Sequence, residues 1–447
     1  MHIAMIGTGY VGLVSAACFA EFGVDVTAVD NDQGKIERLL AGEIPIYEPG
    51  LDEVVARNTG AGRLTFTSDL EGALADVEAV FIAVGTPSRR GDGHADLTYL
   101  FAAAEQIARA LTRDTLVVTK STVPVGTGRR LQQLFAKLRP DLAIEIASNP
   151  EFLREGSAIE DFMRPDRVVV GVESAHARQV LERVYRPLNL IQSPIVFTSL
   201  ETAELIKYAT NSFLATKVTF INEMADLCER VGADVQELAR GLGLDRRIGN
   251  KFLHPGPGFG GSCFPKDTTA LLRIAEEASL SLRIVESVVA VNEGRKRNMV
   301  RRIIQACGGS VRGLTVAILG VTFKPNTDDV RDSPSLVIVP ALQAEGAAVR
   351  AFDPEGMEAA AAELPGVTWC EDAYGAMDGA DAVVVLTEWN VFRALDLERT
   401  RTLLRRPIVV DLRNVYEPAD MAAAGFSYSS IGRPVATVAP ASARAAE

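Results

Sequence analysis

Short runs rich in Val, Ile and Ala alternate with stretches of helical spacing through the first part of the chain. Residues 2–6, 24–29, 79–84, 115–119, 143–147 and 168–172 predict strands. Strands alternating with helices predict a mostly parallel sheet covered on both faces. From about Leu200 the pattern changes: 200–232 reads as one long helix, 234–242 as a short one and 282–306 as another long one, with no strand signal between them. Ile206, Phe213, Leu214 and Val218 predict that the first long helix is largely buried. Strand runs return at 314–319, 348–352, 382–386 and 408–411, which predicts a second, smaller α/β unit.

The first strand runs directly into Gly7-Thr8-Gly9-Tyr10-Val11-Gly12 and then a helix, and Asp30 ends the second strand 18 positions beyond Gly12. A lone GxGxxG is weak; between a strand and a helix, with an acid at this spacing, it is a dinucleotide fingerprint. Gly7 allows the tight turn, Gly9 admits a pyrophosphate and Gly12 lets the helix pack on the strand. Asp30 is placed to accept from ribose hydroxyls and would repel a 2′-phosphate, so the expected cofactor is NAD rather than NADP. Lys35 reads on its own as an ordinary solvated helix charge. Thr86-Pro87 and Ser121-Thr122-Val123-Pro124 each follow a strand and so are expected to line the cofactor crevice. The second α/β unit repeats the pattern of 26–30 at 349–353, but its turn, Gly320-Val321-Thr322-Phe323-Lys324, ends in a cation. That predicts a phosphate ligand other than the nicotinamide cofactor.

The expected fold is therefore α/β, with two Rossmann-like doubly wound parallel-sheet domains joined by a helical central domain with a long spine helix. Its division is 1–199 for NAD, 200–306 for the central and dimerisation domain, and 307–434 for the second Rossmann-like domain. A tail, 435–447, rich in Ala, Pro and Ser, is expected to be disordered. A length of 447 residues suits two or three domains. A net charge of -12 argues against nucleic acid or an anionic membrane as partner, so an anionic substrate needs a local basic pocket. Five scattered cysteines and no signal peptide point to a reducing cytoplasm, and His2, His94, His176 and His254 lack metal-ligand spacing, so no metal is expected. No apolar run approaches the roughly 20 residues needed to span a bilayer.

The segment Gly258-Phe259-Gly260-Gly261-Ser262-Cys263-Phe264-Pro265-Lys266-Asp267 sets a cysteine in a glycine-rich loop ahead of a helix start. Glycines admit close approach by a ligand, Pro265 suits a first helical turn, and the positive end of a helix favours a thiolate. The other four cysteines lie in apolar contexts and read as packing. Lys207 and Asn211, four apart on the long helix, share one face, and a buried lysine and amide are costly without partners. Asn149-Pro150-Glu151-Phe152-Leu153-Arg154-Glu155-Gly156 follows a strand and brings two carboxylates and an arginine to a cleft mouth, which suits cofactor contact and water activation.

Together with Phe323-Lys324-Pro325-Asn326-Thr327-Asp328-Asp329-Val330-Arg331, these segments resemble the UDP-glucose/GDP-mannose dehydrogenase family over Met1 to about Gly432. The resemblance implies oxidation of UDP-glucose to UDP-glucuronate with two NAD per substrate, through a thiohemiacetal and a thioester on Cys263. It implies catalytic roles for Cys263, Lys207, Asn211, Asp267, Glu151 and Thr122. It implies NAD contacts from Tyr10, Val11, Asp30, Lys35, Thr86, Thr122, Glu155, Lys266 and Arg331. The UDP-sugar would meet Phe152, Leu153, Arg154, Phe252, Leu253, His254, Gly260 and Lys324, beside Glu151, Lys207 and Asn211. In the family pattern Arg247 reaches the nucleotide across a homodimer formed by the central helices, and Arg413 lies near the sugar. The same chemistry on GDP-mannose or a UDP-N-acetylhexosamine is the close alternative, and a two-electron hydroxyacid dehydrogenase a distant one. Gly258-Phe259 and Phe264-Pro265 favour the UDP-glucose branch.

Overall fold

A computed structural model of the chain describes residues 1–89 and 91–434, so the tail expected to be disordered lies outside the described residues. The chain forms two compact units: residues 1–210 with 269–281, and residues 211–268 with 282 onwards. Two of the three crossings, after Thr210 and after Thr268, fall within the unbroken helices Leu200–Val231 and Phe264–Glu277, and the third lies between helices.

The first unit is built on eight strands: β1 (His2–Ile6), β2 (Asp25–Val29), β3 (Leu64–Thr67), β4 (Ala79–Ile82), β5 (Thr115–Thr119), β6 (Ile144–Ser148), β7 (Val168–Gly171) and β8 (Ile195–Thr198). Their order is β3-β2-β1-β4-β5-β6-β7-β8, parallel throughout except between β6 and β7. The winding direction reverses between β1 and β4, which opens a crevice at the carboxyl ends of those strands. Side chains alternate between two apolar layers, with Ile3, Met5 and Phe81 on one face and Ala4, Ile6, Val80 and Ile82 on the other. Helix Tyr10–Glu21 is buried on every side from Gly12 to Ala20. Its Phe19 meets Phe81, Phe162 and Tyr185 at ring-centroid distances of 5.2, 4.9 and 5.4 Å.

The second unit carries β9 (Thr315–Leu319), β10 (Ala348–Phe352), β11 (Thr368–Trp369), β12 (Ala382–Val385), β13 (Ile408–Asp411) and β14 (Ser427–Ser430), all parallel in the order β11-β10-β9-β12-β13-β14. Ile221, Ala225 and Cys228 of the long helix pack here with Met299 and Ile303 of helix Arg283–Ala306 and with the sheet. The sequence pattern missed β3, β8, β11 and β14. All four lie at sheet edges, β11 has two residues, and β14 is largely serine. Short edge strands are covered on fewer sides and do not need a continuous apolar run.

The expectation of a largely buried long helix is corrected. Phe213, Phe220 and Leu227 remain 66%, 46% and 50% exposed, while the opposite face holds the buried Lys207, Tyr208, Asn211, Ala215 and Ile221. Replacing Phe19 with Ala removes the centre of the aromatic cluster, and the expected cost is about 3–5 kcal/mol in a urea titration.

Candidate active site

In the first unit the glycine turn is fixed by backbone and by Asp30. The Gly7 N–H donates to Val29 O at 2.8 Å. Asp30 Oδ2 accepts from the Thr8 amide and hydroxyl, both at 2.8 Å, and its Oδ1 accepts from the Asp32 amide at 3.0 Å. Lys35, which on its own reads as a surface charge and by the resemblance as an NAD contact, donates to Asp30 Oδ2 at 3.0 Å. Burial alone would raise the Asp30 pKa, but these donors hold it below the usual carboxylate range. A Cβ on Gly12 would lie 1.9 Å from Gly7 O, so only glycine fits, whereas a Cβ on Gly9 would meet nothing within 4 Å. Space above Gly9, the start of a helix there and an ionised Asp30 at the end of β2 are what a dinucleotide needs. The NAD fingerprint therefore fits its cofactor on geometry. Thr86 Oγ1 donates to Thr122 O at 2.8 Å, joining the two crevice loops.

Tyr10, in the same turn, donates its hydroxyl to Glu48, which also accepts from the Gly156 and Ala158 amides at 2.6 and 2.7 Å. Burial and the Glu48 charge raise the phenol pKa far above its ordinary value. The bond links the glycine turn to the segment that follows β6 and carries Glu151.

Glu151 is buried and makes the central ion pair of this half, accepting from Lys207 Nζ at 2.8 Å through Oε1 and from the Leu153 amide at 2.5 Å through Oε2. Burial opposes its charge, yet Lys207, the Leu153 amide and Lys120 hold the carboxyl below its ordinary pKa. Lys207 Nζ also lies 5.4 Å from the Phe152 ring centroid, and the Arg167 guanidinium stacks on that ring at 3.8 Å. Arg154 turns away onto Asp161 through two bonds of 2.9 and 2.6 Å. Leu153 and Glu155 lie half-buried beside it.

Sequence reasoning missed Lys120. It is wholly buried at the end of β5, donating to Asn149 Oδ1 at 3.2 Å beside Tyr185, whose hydroxyl donates to the same oxygen at 2.5 Å. Burial pulls its pKa down to about 8 against the attraction of Glu151, while Lys207 pushes it the same way as burial. The signal available was its place at a strand end, immediately before Ser121-Thr122.

In the second unit the cysteine loop is held by side-chain amides and close contact. Asn292 accepts from the Phe259 amide at 2.8 Å and donates to its carbonyl at 3.1 Å, and the Gly261 amide donates to Arg331 O at 2.8 Å. A Cβ on Gly260 would lie 2.3 Å from Asp332 O, so the glycine is required by close approach. Cys263 sits immediately before helix Phe264–Glu277, where its carbonyl accepts the Asp267 amide at 2.8 Å, and its Sγ is 3.5 Å from Ser262 Oγ. Burial pushes the Cys18 thiol up to about 12 and raises Cys228 and Cys307. Asp267 is buried and accepts from Asn211 Nδ2 at 2.6 Å and from Lys266 Nζ at 2.5 Å. Thus Lys207 and Asn211, one turn apart on one helix, each bind a buried carboxylate.

Other candidates in this unit divide. Phe252 packs on Phe264 at 6.0 Å, Leu253 is buried and His254 is exposed. Lys324 lies 5.2 Å from the Phe323 ring centroid. Arg413 donates to Leu386 O at 2.7 Å and Phe323 O at 2.8 Å, tying down the turn that carries Lys324. Arg331 pairs with Asp329 through two 2.8 Å bonds, and the exposed Arg247 pairs with Asp245. Among the described residues no group of His, Cys, Asp and Glu could hold a metal ion, and no helix is long and apolar enough to cross a membrane.

Three domain descriptions of the UDP-glucose/GDP-mannose dehydrogenase family match the chain: the NAD binding domain over residues 1–189, the central domain over 201–294 and the UDP binding domain over 317–418. The chain is 59% identical to a UDP-glucose 6-dehydrogenase of Rhizobium meliloti (strain 1021), over 97% of this chain and 100% of that one. A UDP-glucose dehydrogenase structure from Pyrobaculum islandicum superposes with a TM-score of 0.88 at 41% identity, covering 96% of each chain. A UDP-D-ManNAc dehydrogenase structure from Pyrococcus horikoshii gives 0.84 at 28%, covering 97% of this chain and 99% of that one.

Breaking the buried pair leaves an uncompensated charge. Lys207→Met is expected to lower stability by about 3–5 kcal/mol in urea denaturation, with partial recovery in the double variant carrying Glu151→Gln. Because Glu151 titrates below its unfolded value, its contribution is complete above the ordinary carboxylate range. The gap between parent and Lys207→Met should therefore narrow as pH falls through the depressed pKa.

Proposed function

The chain belongs to the UDP-glucose/GDP-mannose dehydrogenase family, and from that premise we propose that it oxidises UDP-glucose to UDP-glucuronate, removing two hydrides in succession at C6. The observation that carries this reading is the cysteine at a helix start within a glycine-walled loop. A two-electron alcohol oxidation has no need of such a group. NAD, held by the Gly7 to Gly12 turn with Asp30 and Lys35, supplies the hydride acceptor for each oxidation.

Loss of a proton from the C6 hydroxyl and a hydride from C6 gives an aldehyde. The Cys263 thiolate then adds to the aldehyde carbon, and the carbonyl oxygen takes up a proton to give a thiohemiacetal. Loss of its hydroxyl proton and of the remaining hydride leaves a thioester on Cys263. Water attacks that carbon, the carbon–sulfur bond breaks, and the acid and the thiolate are released. We assign stabilisation of the anionic oxygen to Lys207 and Asn211. By the family resemblance, proton transfer is assigned to Asp267 and Thr122. Glu151, ionised by its two lysine neighbours, assists the hydrolytic water. Lys324, with Phe252 and Gly260, receives the UDP-sugar, and Arg413 keeps the Lys324 turn in place. UDP-glucose is favoured over other sugars by the 59% identity with a UDP-glucose 6-dehydrogenase, against 28% with the UDP-D-ManNAc dehydrogenase.

We further propose a homodimer through the central helices. Phe213, Phe220 and Leu227, spaced seven apart, form an exposed apolar stripe on one helical face. Phe213→Glu with Phe220→Glu should convert a dimer to a monomer in sedimentation velocity.

The parent should release two NADH per UDP-glucose, and Cys263→Ser should lose the second oxidation; a stoichiometry of one, or an unaffected serine variant, defeats the reading. Glu151→Gln should slow hydrolysis by about 10²–10⁴-fold. The acyl adduct on Cys263 would then accumulate and be visible by intact-protein mass spectrometry.

A further inference from the structure

The first unit contains a cavity of about 520 Å³ that none of the proposed cofactor, substrate or catalytic residues lines. It lies between the segment after β4, the segment Pro124–Thr127 that follows Thr122, and the later turns of helix Phe264–Glu277. Its size is that of a small-molecule site. Around it stand Arg89, Arg130 and Arg273 with His94, in a chain whose net charge is -12.

The cations differ in how far they are already engaged. Arg89 pairs with Asp92 at 3.0 Å, and Arg273 pairs with Glu276 at 2.6 Å through one terminal nitrogen. The buried Nε of Arg273 has no hydrogen-bond partner among the described residues, while His94 Nδ1 lies 3.4 Å from Asp92 Oδ1. The Arg130 guanidinium, near the start of helix Thr127–Leu138, lies over the Phe101 ring at 4.4 Å and has no carboxylate partner among the described residues. A guanidinium stacked in this way presents its N–H edge to an incoming planar or tetrahedral anion.

Two carboxylates also face the cavity. Asp96 already accepts from the Thr98 amide and hydroxyl at 2.9 and 2.6 Å, and Glu277 lies 3.2 Å from His94 Nε2. The amides of Gly126 and Gly128 at the adjacent helix start donate to Glu204, both at 2.7 Å, so recognition falls to the side chains. Asp92 and Glu276 offset Arg89 and Arg273, which leaves Arg130 as the lining guanidinium with no carboxylate partner among the described residues, beside a space large enough for more than one phosphoryl group.

We propose that this cavity is a second ligand site, for a phosphorylated small anion, held chiefly by Arg130 and Arg273. Its walls include the segment continuing from Thr122 and the later turns of helix Phe264–Glu277.

The test is titration calorimetry of the full chain with inorganic pyrophosphate, with NADH and UDP present at saturation to fill the other phosphate sites. Citrate is run in parallel. Saturable pyrophosphate binding should appear, weaken at least tenfold in Arg130→Gln and in Arg273→Gln, and exceed citrate binding by a similar factor. NADH and UDP affinities should be unchanged in both variants. No saturable binding, or binding that ignores both substitutions, overturns the site. Equal binding of citrate overturns its assignment to phosphate.

Discussion

The loops at the carboxyl ends of the strands are held by buried carboxylates, and the rest of the arrangement depends on them. A parallel sheet leaves backbone amides unpaired where each strand gives way to a loop, and a desolvated N–H must find an acceptor. Asp30 holds the Thr8 turn, Glu48 the Gly156 segment, Glu204 the start of helix Thr127–Leu138, and Asp411 the 413–416 turn. Each is an acceptor with several donors. The loops that carry chemistry are thereby as fixed as the sheet itself, which is the condition for aligning reacting groups.

The long helix adds a second constraint of the same kind. Lys207 and Asn211 are presented one turn apart by backbone geometry alone, and each meets a carboxylate rather than open solvent. Such pairs are weak evidence for stability, because desolvation offsets much of their attraction. Their retention at one place on one helix is better explained by chemistry than by packing. Lys120 strengthens this view: a second buried ammonium helps keep Glu151 ionised, and Glu151 in turn favours its charge against burial.

Much of this was legible in the residues. The glycine turn and Asp30 carry their own geometry, and Cys263 announced itself by its glycines and by Pro265. Less legible was whatever depends on contacts distant in sequence. Lys35 looked like a surface charge because its partner lies across the turn, and Lys120 gave only its strand-end position. The long helix was read as buried because apolar residues ring it; sequence cannot say which face the chain itself covers. Edge strands such as β14 were missed because the sheet, not their composition, holds them.

The second unit repeats the first more closely than its altered turn suggests. Asp353 accepts from the Thr322 amide and hydroxyl, both at 3.1 Å, as Asp30 does from Thr8, but Trp389 Nε1 also donates to it at 3.2 Å and the carboxylate is fully buried. The inherited acid has become a structural post, sealed beneath an indole. Among the described residues the Asp353 turn therefore offers a ribose diol no open carboxylate, and a dinucleotide finds no second seat of the Asp30 type there.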